Sequence, residues 1–151
     1  MFNGQNVQEI KANLFDFTDS EMVAHCISGD YTLGAGIAKE MERKYNLRYN
    51  LYLQHDIPTG RRYDRKMLGH AIRVGNIYNL ITKGRFHDGA SYDYLRTSLE
   101  DVRDDMLVRD EERIYIPRLG CGRDRLDWME VERILTEVFE NTPIEVFVCV
   151  K

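Results

Sequence analysis

The chain has 151 residues, 43% of them hydrophobic, enough to bury the core of one compact domain. Its formal net charge of −4 supplies no global positive field for duplex nucleic acid or an anionic membrane. No apolar run approaches the ~20 residues that span a bilayer, and three scattered cysteines (Cys26, Cys121, Cys149) suit reduced thiols rather than a disulfide frame. Met1–Ile10 is polar and lacks a signal-peptide apolar region, so a single soluble, cytoplasmic domain over residues 1–151 is expected.

In chain order, Val7–Leu14 contains a short first strand, followed by the polar turn Asp16–Glu21. Met22–Ile27 is almost continuously apolar, as in a strand buried on both faces. Gly34-Ala35-Gly36 then leads into the helical stretch Ile37–Met41. Asn46–Gly69 reads as irregular, and its basic cluster Arg61, Arg62, Arg65 and Lys66 reads first as a solvated loop, with contact to a polyanionic partner as the alternative. Ala71–Val74 and Ile77–Ile81 are two strands joined by Gly75-Asn76, an order that suits a primed hairpin turn.

Ser91 can cap a helix whose Tyr92, Leu95, Leu99, Val102 and Met106 share one face. Ile114–Ile116 is a strand, and Gly120-Cys121-Gly122 follows it. Asp127 and Glu130 have the spacing of a capping box for the helix carrying Val131, Ile134, Leu135, Val138 and Phe139. Pro143 stops that helix, and Ile144–Val150 closes the chain as a strand. Strands alternating with helices predict an α/β sandwich with a mixed sheet.

The strand, Gly-x-Gly and helix arrangement thus occurs twice. Glycines let the backbone approach a ligand, so that successive amides converge on an anion. Cys121 could be an activated thiol beside those amides, or a small side chain packed beneath the loop. His25 and Cys26 are strand neighbours whose side chains face opposite ways, and the four histidines show no metal-ligand spacing, so no metal site is expected. Lys83 and Asp124 each lie just beyond a predicted strand, on the edge where open α/β sheets bind ligands.

Four segments carry a family resemblance: Ala24-His25-Cys26-Ile27-Ser28; Leu33-Gly34-Ala35-Gly36-Ile37-Ala38; Leu80-Ile81-Thr82-Lys83; and Pro117-Arg118-Leu119-Gly120-Cys121-Gly122-Arg123-Asp124-Arg125-Leu126. In this order they resemble a macrodomain, and most closely the terminal ADP-ribose protein glycohydrolase branch. The Asn-Ala-Ala-Asn segment of the other major hydrolase branch is replaced by Cys26-Ile27-Ser28-Gly29, so that branch's mechanism does not transfer.

The resemblance implies a three-layer α/β/α sandwich with ADP-ribose in a cleft along the strand ends. Gly34, Ala35, Gly36, Ile37 and Ala38 would approach the distal ribose and diphosphate from one side. Leu119, Gly120, Cys121, Gly122 and Arg123 would approach from the other. Ser28 and Arg118 would also belong to the ADP-ribose site, with Asn13 and Leu14 at the adenine. Asn13 stands where the family carries an acidic residue, so its carboxamide oxygen could still accept from adenine but without charge assistance.

The family's catalytic lysine and aspartate match Lys83 and Asp124. The implied reaction removes ADP-ribose from a carboxylate ester, with lysine attacking the anomeric carbon and aspartate managing protons; for this the lysine must lose its proton. An ADP-ribose 1″-phosphate phosphatase using His25 or Asp124, and a reader without turnover, are the alternatives. No cofactor is implied. The expected partners are ADP-ribose and ADP-ribosylated protein or nucleic acid, and a monomer is expected.

Overall fold

In the computed structural model, which describes residues 6–151, six strands alternate with four helices. The polar character read over residues 1–5 lies outside the described residues. The strands are β1 (Val7–Lys11), β2 (Val23–Ser28), β3 (Ala71–Val74), β4 (Ile77–Lys83), β5 (Arg113–Ile116) and β6 (Glu145–Val150). The helices are α1 (Gly36–Tyr45), α2 (Leu47–Gln54), α3 (Tyr92–Val108) and α4 (Trp128–Phe139).

The strands form one sheet in the order β1-β6-β5-β2-β4-β3, parallel throughout except for the β3–β4 hairpin. Strand alternation sends Ala24, Tyr78, Leu80, Ile114 and Ile116 to one face, where they pack with α3 and α4. Val23, Ile27, Ile77 and Ile81 go to the other face, with Met41 of α1 and Leu47 and Leu51 of α2. The result is the expected three-layer α/β/α sandwich. Two apolar layers on one sheet explain why β2 and β4 read as nearly unbroken apolar runs.

The position of the cleft follows from strand pairing. β2 and β5 share a single register pair, Val23 with Tyr115, beside the Tyr115 amide donating to the Met22 carbonyl at 2.9 Å. Beyond that pair the two strands no longer bond to each other. The chain leaves β2 toward β4 and leaves β5 toward β6, in opposite directions along the sheet. Their carboxyl ends therefore mark a topological switch point, the standard ligand crevice of open α/β sheets.

Several local expectations change. The short strand expected within Val7–Leu14 is β1, Val7–Lys11, and it ends before Asn13, which caps a 3₁₀ turn over Leu14–Asp16, its side chain accepting from the Phe15 amide at 3.0 Å. The segment read as irregular after Asn46 opens with a true helix, α2. Asn46 separates it from α1 in the left-handed conformation, at φ 51° and ψ 47°. Only half of the capping box forms: Asp127 accepts from the Met129 amide, while Glu130 turns outward to Arg133. Ser91 does cap α3, accepting from Tyr94 N.

Candidate active site

The first glycine loop, between β2 and α1, is held from both ends. Asp30 stands two residues past the end of β2, and its Oδ1 accepts from Ser28 Oγ at 2.6 Å, Thr32 N at 3.1 Å and Thr32 Oγ1 at 2.8 Å. Its Oδ2 accepts from the Phe86 amide at 2.8 Å, tying this loop to the one after β4. Burial alone would raise this carboxyl, but the hydrogen bonds from Ser28, Phe86 and Thr32 outweigh it and hold Asp30 below the usual carboxylate range. Tyr31 and Leu33 adopt positive φ of 55° and 48°, uncommon for such residues. Arg48 of α2 holds that conformation by donating to the Tyr31 and Thr32 carbonyls.

The second loop, between β5 and α4, turns at Gly120, where φ is +71°. The Leu126 amide closes the turn on the Gly120 carbonyl at 2.7 Å. Arg118 is anchored by Glu9 at 2.7 Å and lies over Trp128. A register shift between Ile27 and Ser28 pairs Ser28 with Lys83 and passes over Thr82. Such irregularities commonly re-aim a side chain near a site.

Between these loops lies a cavity of about 320 Å³. Ser28, Gly34, Ala35, Gly36, Ile37 and Ala38 form one wall, and Arg118, Leu119, Gly120, Gly122 and Arg123 form the other. Lys83 and Asp124 both line it, and Lys83 Nζ donates to Asp124 Oδ1 at 2.8 Å. Their side chains are only 12% and 15% exposed, so the pair is largely withdrawn from bulk water. Nζ also lies 5.3 Å from the centroid of the Phe86 ring, and the Arg123 guanidinium lies 5.8 Å from the same centroid. A shielded amine hydrogen-bonded to a carboxylate sets a proton donor against an acceptor, between two glycine loops of the kind that receive anions.

The chain as a whole is similar to known proteins. No family model matches the chain. ADP-ribose glycohydrolase OARD1 of Bos taurus is 36% identical over 96% of this chain and 91% of its own length, and the Homo sapiens protein is 35% identical over the same shares. This chain belongs to that family of macrodomains. The fold agrees: the macrodomain of Thermus aquaticus DarG superposes with a TM-score of 0.76 at 21% identity, over 96% of this macrodomain and 98% of that one. The macrodomain of Mycobacterium tuberculosis DarG gives 0.75 at 19% identity, over 95% and 98%.

Three residues expected at the ligand do not line the cavity of this macrodomain. Asn13 uses its side-chain oxygen as a helix cap, and Leu14 is buried in the core. The Cys121 thiol turns away to the Leu119 carbonyl at 3.4 Å and packs against the α3–α4 core, where burial pushes it up. Packing beneath the loop, rather than activation, describes that side chain.

Conversely, Phe86 lines the cavity without having been singled out, Leu33 and Pro117 line it though they were named only within the segments that carry the resemblance, and Cys26 contributes from β2. Burial pushes the Cys26 thiol up to about 12, helped by the Asp124 charge, so it is no thiolate nucleophile. The only available signal for Phe86 was its place three residues after Lys83, and a lone aromatic in a loop has no periodicity. His25 also reaches the cavity, but its Nε2 lies 2.6 Å from Asn79 Oδ1. Asn79 Nδ2 donates to the Ile72 and Ile77 carbonyls, so Oδ1 must accept and His25 Nε2 carries the proton. Burial pulls this imidazole down to about 4, leaving it neutral with Nδ1 unpartnered among the described residues.

Proposed function

We propose that this macrodomain hydrolyses ADP-ribosyl esters, releasing ADP-ribose from glutamate- or aspartate-type linkages on modified protein. The observation that carries this reading is the shielded Lys83–Asp124 pair at 2.8 Å, set between the two glycine loops. The names of the OARD1 relatives support a glycohydrolase.

In the proposed reaction the loop amides and Arg123 hold the diphosphate and distal ribose. Asp124, already bonded to Nζ, first takes a proton from the Lys83 ammonium and frees its lone pair. As the neutral Nζ bonds to the anomeric carbon, the ester C–O bond breaks and the side-chain carboxylate leaves with its electron pair. The bonded nitrogen passes one proton to the ring oxygen as the ribose opens to a protonated imine. Water adds to the imine carbon, one of its protons moves to nitrogen, and the C–N bond breaks, so that ADP-ribose leaves and the ammonium is restored, while Asp124 gives its proton to solvent. The phosphatase alternative has weaker support, because a neutral His25 with its one proton on Asn79 has none to give a leaving phosphate.

The test compares wild type, Lys83→Ala and Asp124→Ala on a glutamate-linked mono-ADP-ribosylated protein and on ADP-ribose 1″-phosphate. ADP-ribose affinity is measured for each by calorimetry. Ester release lost in both variants, with ADP-ribose still bound, supports the lysine–aspartate hydrolase. Phosphate release that survives Lys83→Ala points to the phosphatase, and binding without either product leaves a reader.

A further inference from the structure

The distribution of arginine partners across the surface is uneven. On the helices and outer strands the guanidinium groups are engaged: Arg43 with Glu40, Arg73 with Glu111, and Arg96 and Arg133 with Glu137. At the mouth of the cleft they are not. Arg61, Arg62, Arg85 and Arg125 are exposed, and none forms an ion pair among the described residues. In a chain of net charge −4, four arginines without an ion-pair partner, on segments beside the site, bias the local field toward positive.

Their nearness to the site follows from one contact. A Cβ at Gly84, between Lys83 and Arg85, would meet Tyr63 ring carbons at 2.6 to 2.9 Å, and one at Gly29 would meet Tyr63 Cβ at 3.2 Å. Tyr63 therefore packs on the backbone just past the carboxyl ends of β2 and β4, and Arg61 and Arg62 immediately precede it in the chain. Arg85 stands on the loop directly after Lys83, and Arg125 stands opposite, directly after Asp124.

We propose that Arg61, Arg62, Arg85 and Arg125 form a carrier-recognition rim for an acidic protein segment bearing the ester. This rests on the ester reading above and names the kind of carrier. Carboxylate side chains suit such a rim because guanidinium groups take them in bidentate pairs, each at its own spacing. A continuous phosphate backbone suits it less. Asp64 and Asp88 interrupt the rim, engaged with His55 and with the Arg85 amide. The rings that a single strand would stack on are also engaged, Tyr63 on Gly84 and Phe86 between Gly34 and the site cations.

The test uses two peptides, each with one ADP-ribosyl glutamate, flanked by glutamates in one and by glutamines in the other. Binding is measured in the Lys83→Ala background, so that it does not depend on turnover. The acidic peptide should bind about tenfold tighter at low salt, with the advantage shrinking as salt rises. Adding Arg61→Gln, Arg62→Gln and Arg85→Gln should bring the ratio close to one without changing the affinity for free ADP-ribose, and Arg85→Glu alone should lower the ratio more than Arg85→Gln alone.

Equal binding of the two peptides in the parent, or a ratio the triple substitution leaves unchanged, overturns the proposal. So does an ADP-ribosylated single-stranded oligonucleotide that binds tighter than the acidic peptide and loses more on the triple substitution. Wild-type turnover of the neutral peptide is read separately. If it is absent while the rim preference stands, the ester reading fails and the rim does not.

Discussion

The backbone amide of Phe86 donates to Asp30 Oδ2 at 2.8 Å, although the two residues belong to loops that follow different strands. Asp30 therefore fixes both the β2–α1 loop and the ring beside Lys83. Asn at this position offers one acceptor oxygen, and its NH₂ would face a donor. Asp30→Asn is expected to cost about 2 kcal/mol in urea unfolding, and to lower kcat/KM more than ADP-ribose affinity. A further signature is pH dependence. The folded carboxyl titrates below its unfolded value, so its stabilisation is present at neutral pH and lost as pH falls through the acid range. Asp30→Asn should lose less stability on acidification than wild type, and an equal loss would remove Asp30 from this role.

The two glycines of the second loop differ in what they are for. Gly120 has φ of +71°, and a Cβ there would lie 2.6 Å from Leu126 Cδ1. Gly120→Ala should destabilise by roughly 1–3 kcal/mol through strain and overpacking. Gly122 has no positive φ, and a Cβ would meet nothing within 4 Å. Gly122→Ala should leave stability within ~0.5 kcal/mol yet weaken ADP-ribose about tenfold, because the methyl fills space through which a diphosphate reaches the amides. Unfolding curves paired with calorimetry separate the two effects. Unchanged affinity in Gly122→Ala would argue against a close backbone approach there.

How far the sequence revealed this molecule depended on whether a feature had a period or a punctuation mark. β2 and β4 were visible as apolar runs, the β3–β4 hairpin through Gly75-Asn76, and α3 and α4 through the spacing of Leu95, Leu99 and Val102 and of Val131, Ile134 and Leu135. Both glycine loops were visible as a repeated strand, Gly-x-Gly and helix, while Lys83 and Asp124 took their roles from the resemblance to a family, since neither residue stands out by spacing. Asp30, Phe86 and the Tyr63–Gly84 contact were not found. Each acts between segments distant in sequence, and no local pattern records which loop an aspartate will bond.

α2 escaped notice for a related reason. It has eight residues, no side-chain cap, and only Leu47 and Leu51 buried, which is too little periodicity to register. Its separation from α1 rests on Asn46 in the left-handed region, with φ 51° and ψ 47°. Asparagine tolerates this conformation and glycine favours it. Asn46→Gly should therefore leave the melting temperature unchanged or slightly raised. Asn46→Ala should cost about 1 kcal/mol, and should loosen Arg48, whose donation to the Tyr31 and Thr32 carbonyls holds the first loop. A drop in ADP-ribose affinity in Asn46→Ala but not in Asn46→Gly would connect this helix junction to the cleft.

His25 predicts an acid weakness of the fold itself. Burial pulls its folded titration to about 4, against an ordinary value of 6.5, with only partial relief from the Asn79 hydrogen bond. The unfolded chain therefore takes up a proton at higher pH than the folded one does. Above pH 6.5 both states are neutral at this residue and its titration costs nothing. As pH falls from there toward 4, the unfolded state is favoured progressively, by roughly 2 kcal/mol at pH 5. His25→Gln keeps an N–H donor for Asn79 Oδ1 and cannot titrate. It should be less stable than wild type at pH 7.5, through imperfect packing, yet lose clearly less stability between pH 7.5 and pH 5. Urea unfolding at the two pH values gives the comparison, and carboxylate contributions common to both proteins cancel. Parallel losses would mean that His25 accepts its proton inside the fold, on the Nδ1 that has no protein partner among the described residues.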